Sequence, residues 1–216
     1  MEELKDLCHL GFNCPLKKPL NLSPLRDLET LKCTWSPKIV GLETCDRLRL
    51  LNITRYPHRD LEQLAHFPNL EFVWITSRKL ESFAGIESLE KLQQVDLWTC
   101  PEVVSITHIA SADSLTKLVL GGCKKIGAIP RFKQPLRLVS LELNNCGKLA
   151  NLRFLEDMPE LKGLRILGDT TITDGDLSVI ESLPKLTILT IPPKRHYSPH
   201  PKSLFSMVRQ RRNETT

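Results

Sequence analysis

Apolar residues recur along the chain in a six-residue template, Leu-x-x-apolar-x-apolar, that returns after little more than twenty residues. Seven copies fit it closely, an eighth extends the series backwards, and a ninth near the amino terminus fits more loosely. The copies begin at residues 7, 28, 48, 70, 92, 115, 138, 161 and 186, so that successive copies are 20 to 25 residues apart. One such match would mean little, but nine in near-register define an internal repeat.

The template predicts one β-strand per repeat. Side chains alternate in a strand, so positions four and six should point into a core and positions three, five and seven should line an open face. Further apolar residues follow in the same phase and should stack behind the sheet; they are Ile39, Val103, Ile126, Leu149 and Ile172, then Ile106, Ile129 and Leu152. Two return segments, residues 60–67 and 174–182, begin with capping residues and carry helical apolar spacing. We predict short helices there.

This pattern resembles the short bacterial leucine-rich repeats of the internalin-like class over residues 7–194. The resemblance implies an α/β fold, a right-handed leucine-rich repeat solenoid or horseshoe, with a parallel concave β-sheet of about nine strands. It also implies recognition of another protein through the strand face. We assign residues 1–198 to the solenoid and residues 199–216 to a C-terminal capping helix with a frayed basic tail, in which Leu204, Phe205 and Val208 cover the last repeat.

The open face supplies the candidate partner-binding residues. Large aromatic side chains on a rigid sheet bury much area at a small loss of entropy, and charges around them orient a partner. The alternative is that these aromatic rings pack on each other or are shielded by the chain ends. Val119, Gly121 and Gly163 also fall on this face, and the pair Gly121 and Gly122 would smooth it or let a partner backbone come close. The candidate residues are Trp35, Asn52, Arg55, Phe72, Trp74, Asp96, Trp98, Lys117, Glu142, Asn144 and Arg165.

The chemistry-bearing residues do not suggest catalysis. Cys100, Cys123 and Cys146 each stand at template position nine, and one thiol per repeat matches no zinc spacing. We interpret them as structural and reduced, and we expect no metal and no cofactor. Histidines 58, 66 and 108 fall in different return segments without a neighbouring nucleophile, and no phosphate-binding glycine motif is present. The sequence therefore predicts that the chain is not an enzyme.

Charge and hydropathy narrow the class of partner and the cellular location that we expect. The 30 Lys and Arg residues exceed the 25 Asp and Glu residues by a net charge of +5 that is spread along the chain, so nucleic acid is not the expected partner. Residues 1–6 lack the positive charge of a secretory leader, and no apolar run is long enough for a membrane span. These features favour a soluble, cytoplasmic protein without a membrane or small-molecule partner.

Two functions fit a stand-alone recognition domain. The first is an immunity protein that neutralises a cognate bacterial toxin, an inference by analogy with repeat-type immunity proteins. The alternative is an adaptor or substrate-receptor module in a signalling or enzyme assembly, with the basic tail as its second contact. Deleting residues 199–216 separates them, because only the adaptor should lose one of two partners.

Overall fold

The computed structural model describes residues 6–214 and contains a strand at each of the nine template positions. Four additional two-residue strands lie in the return segments. In chain order the strands are β1 (His9–Phe12), β2 (Leu20–Asn21), β3 (Thr30–Thr34), β4 (Ile39–Val40), β5 (Leu50–Thr54), β6 (Phe72–Thr76), β7 (Gln94–Trp98), β8 (Lys117–Gly121), β9 (Ser140–Asn144), β10 (Lys148–Leu149), β11 (Gly163–Leu167), β12 (Thr171–Ile172) and β13 (Ile188–Thr190).

The template strands form one parallel sheet in which each strand pairs with that of the next repeat. Its order is β1-β3-β5-β6-β7-β8-β9-β11-β13, and the two remaining pairs are β2 with β4 and β10 with β12. Equivalent template positions face each other, as in Leu51 with Val73 and Val73 with Val95. The prediction of a nine-stranded parallel sheet in a repeat solenoid is confirmed.

The core lies between the sheet and the return segments. Leucine at position one is buried from the second repeat onwards, as are the residues at positions four and six through β3 to β11. The predicted outer layers are buried too: Ile39, Val103, Ile126, Leu149 and Ile172 in one column, and Ile106, Ile129 and Leu152 in another. Each repeat buries its apolar side only against its neighbours, so the molecule is stabilised along a line.

The two return segments for which we predicted α-helical turns contain short 3₁₀ helices instead. Glu62–His66 and Ser178–Ile180 are both shorter than the expected segments. The aspartates that resembled caps form local turns instead: Asp60 accepts a hydrogen bond from the Glu62 amide at 3.2 Å. The remaining 3₁₀ helices are Leu42–Thr44, Ile86–Ser88, Thr107–Ser111 and Arg153–Asp157.

Cysteines form a buried column at one edge of the sheet. The Cys146 thiol lies 3.1 Å from the Leu120 carbonyl. Two repeats earlier, the Cys100 thiol makes the equivalent contact with the Ile75 carbonyl at 3.8 Å. All five buried thiols, including Cys33, Cys45 and Cys123, are free. Burial raises the pKa of Cys33, Cys100 and Cys146 to about 11 and also raises that of Cys123. These thiols stay protonated at neutral pH, as a structural role requires.

Thr170 continues this column, where the template count had placed Asp169. Its hydroxyl donates to the Leu143 carbonyl at 3.2 Å and accepts from the Cys146 amide at 3.0 Å, and the residue is fully buried. Asp169 is exposed. Asp169 stands at template position nine, but the turn contains one residue more than the template does, so Thr170 takes the place in the column.

The carboxyl end of the solenoid is covered by helix α1 (Pro201–Glu214). Leu204 and Val208 are buried, and the Arg211 guanidinium donates to the Leu183 and Glu181 carbonyls at 2.7 Å. Phe205, which we expected to cover the last repeat, is instead 37% exposed, because it lies about a quarter of a helical turn away from Leu204. Helix α1 extends through residues 213–214 of the tail that we predicted to be frayed. Residues 1–5 and 215–216 lie outside the described residues.

Residues 6–214 include no helix with the length and apolar character needed to cross a bilayer.

Candidate functional site

The residues between the buried template positions form three rows across the strand face. The central row runs in register through Asn52, Trp74, Asp96, Val119, Glu142 and Arg165. Phe72 and Lys117 belong to the row before it, and Trp98 and Asn144 to the row after it. Nine of the predicted site residues therefore share one face, and none of the nine is buried.

Two of the predicted site residues lie elsewhere. Trp35 and Arg55 come just after β3 and β5, at the rim where the parallel strands end. Val119 is on the predicted face but is only 4% exposed, flanked in register by Asp96 and Glu142. A partner on the strand face would contact its longer neighbours first.

Phe72, Trp74, Asp96 and Trp98 lie on the adjacent strands β6 and β7, and we call them the aromatic–acidic cluster. Trp74 faces Asp96 across the strand pair, and Phe72 is 37% exposed. Gln94 donates from its amide nitrogen to both Asp96 carboxylate oxygens, at 2.9 and 3.0 Å. A hollow of about 210 Å³ opens beside the cluster, bounded also by Lys32, Leu50 and Asn52. The cluster thus offers a held carboxylate among aromatic rings.

The Trp98 ring lies across Gly121 of the next strand. A Cβ built on Gly121 would be 2.4 Å from Trp98 Cε3, far inside van der Waals contact. The sequence had suggested that this glycine admits a partner backbone. The structure shows that Gly121 makes room for the ring of Trp98 on the neighbouring strand.

The charged side chains of the strand face have no ion-pair partner within residues 6–214. They are Lys32, Asp96, Lys117, Glu142 and Arg165. By contrast, charges beside the strand face do pair, for example Arg49 with Glu71 at 2.9 Å. Unpaired charges on a rigid face are available to orient a charged partner.

The described residues do not bring together a set of metal ligands. No group of three or more His, Cys, Asp or Glu side chains in residues 6–214 is arranged to hold a metal ion. His58, expected to be solvated, instead packs edge-on against Tyr56 and Trp35, with ring centroids 5.3 and 6.1 Å apart. The sequence analysis missed this packing because it joins residues of two repeats.

The stacked strands and their open face define a leucine-rich repeat protein. Neither the family models nor the curated proteins with which the sequence was compared give a match. Among solved structures, the functional domain of InlJ from Listeria monocytogenes, which includes a cysteine ladder, is similar with a TM-score of 0.53 and 21% identity, over 86% of this chain and 44% of that one. The LRR ectodomain of the membrane receptor kinase GASSHO1/SCHENGEN3 from Arabidopsis thaliana is similar with a TM-score of 0.54 and 17% identity, over 89% of this chain and 25% of that one.

The chain spans less than half the length of either of these structures. At these identities the structural similarity shows the fold alone. The internalin-like repeat recognised in the sequence is therefore confirmed as a fold.

Proposed function

We propose that the chain is a non-enzymatic binding scaffold that holds a partner protein on its strand face, centred on the aromatic–acidic cluster. The single observation that carries the proposal is that Phe72 is exposed and Trp74 and Trp98 are partly exposed on a rigid sheet, beside Asp96, which has no ion-pair partner within residues 6–214. Aromatic residues at the centre of a patch are where binding energy concentrates. The GASSHO1/SCHENGEN3 structure, a complex with CASPARIAN STRIP INTEGRITY FACTOR 2, supports recognition of a polypeptide by this fold.

The chemistry of the cluster favours a basic side chain of the partner. The Asp96 carboxylate, held by Gln94, supplies a negative charge, and the Trp74 ring beside it supplies a face for cation–π contact. A guanidinium satisfies both, since it is planar and donates in a fork to a carboxylate. We therefore expect an arginine of the partner at Asp96.

Capture from an extract of the source organism tests this proposal. The wild-type chain should retain a defined protein that the Phe72→Ala/Trp74→Ala variant loses. Phe205→Ala is the matched control, because Phe205 on helix α1 is 37% exposed, as is Phe72. Once the captured protein is purified, the double variant should bind it at least about 30-fold more weakly. Equal retention by the wild type and the double variant would refute the assigned face.

A narrower proposal concerns the identity of the partner. A face for recognition without catalytic groups is what an inhibitor needs, so an immunity protein that masks a bacterial toxin fits these features. Co-expression of the chain with a toxin encoded beside it should restore growth, and Phe72→Ala/Trp74→Ala should abolish the rescue. Continued toxicity with the wild-type chain would exclude that toxin as the partner.

The adaptor alternative requires a second contact through the tail. One side of helix α1 already packs on the last repeat through Leu204 and Val208, which leaves Phe205 and Arg209 on its exposed part. Deleting residues 199–216 would uncover the core, so Phe205→Ala/Arg209→Gln is the better variant. Loss of a second captured protein with this variant alone would favour the adaptor.

A further inference from the structure

A second cavity lies at the rim where β3, β5, β6 and β7 end, outside the strand face. We call it the rim cleft. It is open to solvent and has a volume of about 810 Å³. The residues that line it are Trp35, Pro37, Arg55, Tyr56, Pro57, Thr76, Ser77, Arg78, Lys79 and Thr99.

The rim cleft is positively charged. Arg55, Arg78 and Lys79 are exposed, and none of them forms an ion pair within residues 6–214. None of the described residues that line the cleft is acidic. The nearby Arg59, by contrast, is neutralised by Glu81 at 3.1 Å. The three charges therefore attract an anionic group without an internal competitor.

The rim cleft also has an apolar side. Trp35 and Tyr56 line it and line a second, smaller cavity of about 100 Å³ beneath them. We call this smaller cavity the slot. It is lined by leucine, isoleucine and phenylalanine side chains, and His58 and Glu43 also line it. The backbone of this wall is fixed, because the Trp35 and Tyr56 amides donate to the Thr54 and Thr76 carbonyls at 2.8 and 2.9 Å. An apolar side chain fits against such a wall.

Two residues of the rim cleft hold unfavourable backbone conformations. Arg55 and Thr99 have φ angles of 60° and 54°. The equivalent template position is glycine in two later repeats, Gly122 and Gly168. A third residue at this template position, Asn145, has a φ of 54° and lies outside the cleft, so the conformation belongs to the repeat and does not by itself mark the site. Arg55 and Thr99 are the two such residues whose side chains border the cleft.

We propose that the rim cleft binds an acidic peptide segment with one apolar anchor residue, independently of the strand face. Carboxylates of the segment pair with Arg55, Arg78 and Lys79, and the anchor packs on Trp35 towards the slot. The apolar wall and the short run of three cations distinguish this site from a nucleic-acid surface, which needs a longer basic stripe.

A library of random twelve-residue peptides displayed on phage provides the test. The wild-type chain should enrich peptides in which Asp and Glu flank a Leu, Phe or Trp residue. The variant Arg55→Gln/Arg78→Gln/Lys79→Gln should not enrich them. The matched control Lys133→Gln/Arg137→Gln/Lys162→Gln removes the same charge from exposed residues that also lack ion pairs, and it should enrich the same peptides.

Anisotropy with an enriched, labelled peptide then measures the contributions. The rim variant should bind about tenfold more weakly or worse, and Trp35→Ala should weaken binding without changing its salt dependence. Phe72→Ala/Trp74→Ala should bind as the wild type does, which separates this proposal from the one for the strand face. The proposal is overturned by equal enrichment with the rim variant, by an absence of acidic peptides, or by tighter binding of a random 20-nucleotide RNA that the rim variant loses.

Discussion

Replacing Gly121 by alanine tests how the Trp98 ring is held on the strand face. The new Cβ would lie 2.4 Å from Cε3 and 2.9 Å from Cδ2 and Cζ3 of that ring. Ordinary contacts begin near 3.4 Å, so the ring has to move by about 1 Å. Gly121 does not have a positive φ, and its backbone therefore accepts alanine without strain.

The size of the effect follows from two opposing contributions. Inserting a methyl group into a packed contact destabilises by about 1–3 kcal/mol. Alanine is more favourable than glycine within a strand by about 0.5–1 kcal/mol. We expect Gly121→Ala to lower the free energy of unfolding by about 1–2 kcal/mol. In a Trp98→Ala background the clash is absent, and the same substitution should be neutral or slightly stabilising.

Urea unfolding of the four proteins of this double-mutant cycle measures the coupling between Gly121 and Trp98. Far-ultraviolet circular dichroism is the suitable signal, because removing Trp98 alters the fluorescence. The coupling energy should equal the cost of the clash, about 1–3 kcal/mol. If Gly121→Ala has the same effect with and without Trp98, then the ring does not lie on Gly121 and the described arrangement of the aromatic–acidic cluster is wrong.

Three further predictions concern the stability of the solenoid. Burial raises the pKa of the Cys100 thiol from 9.0 to about 11. The contribution of the protonated thiol to the free energy of unfolding should therefore be complete below pH 9 and lost as the pH rises through 11. Urea midpoints measured from pH 8 to 11 should fall less steeply in Cys100→Ser than in the wild type. Thr170→Val should cost about 1–3 kcal/mol in urea unfolding, whereas the exposed control Thr116→Val should cost little, and equal losses would contradict the role of Thr170. Thr99→Gly should raise the free energy of unfolding by about 1 kcal/mol in the same assay, and a decrease would show that the positive φ is not strained.

The nine-stranded sheet could be predicted because burial repeats with the template. Leu51, Val73 and Val95 occupy the same position, and a strand with one buried face has a strongly specified register. The same alternation placed Phe72, Trp74 and Asp96 on the open face. What the sequence did not show was the contact between neighbouring strands within one row, such as Trp98 over Gly121, since it depends on the rotamer of one side chain.

The return segments and the rim were harder to predict. Aspartates such as Asp60 serve equally well as helix caps and in local turns, and the short return path favours the turn. One additional residue before Thr170 moved it into the cysteine column in place of Asp169. The rim cleft was missed because Arg78 and Lys79 stand outside the template, in a repeat different from that of Arg55.

The turn after each strand affects both the stability of the repeat and the surface that is available for binding. In two repeats Gly122 and Gly168 take the left-handed conformation with little strain, whereas Arg55 and Thr99 take it as residues with larger side chains. A repeat that needed only to fold would be more stable with glycine at all of these positions. Of the three residues that depart from this preference, Arg55 and Thr99 border the rim cleft with its unpaired cations and apolar wall, whereas Asn145 lies outside it. Local departures from the best backbone choice are expected where a protein binds something, and two of the three coincide here with charge and shape that fit an acidic segment.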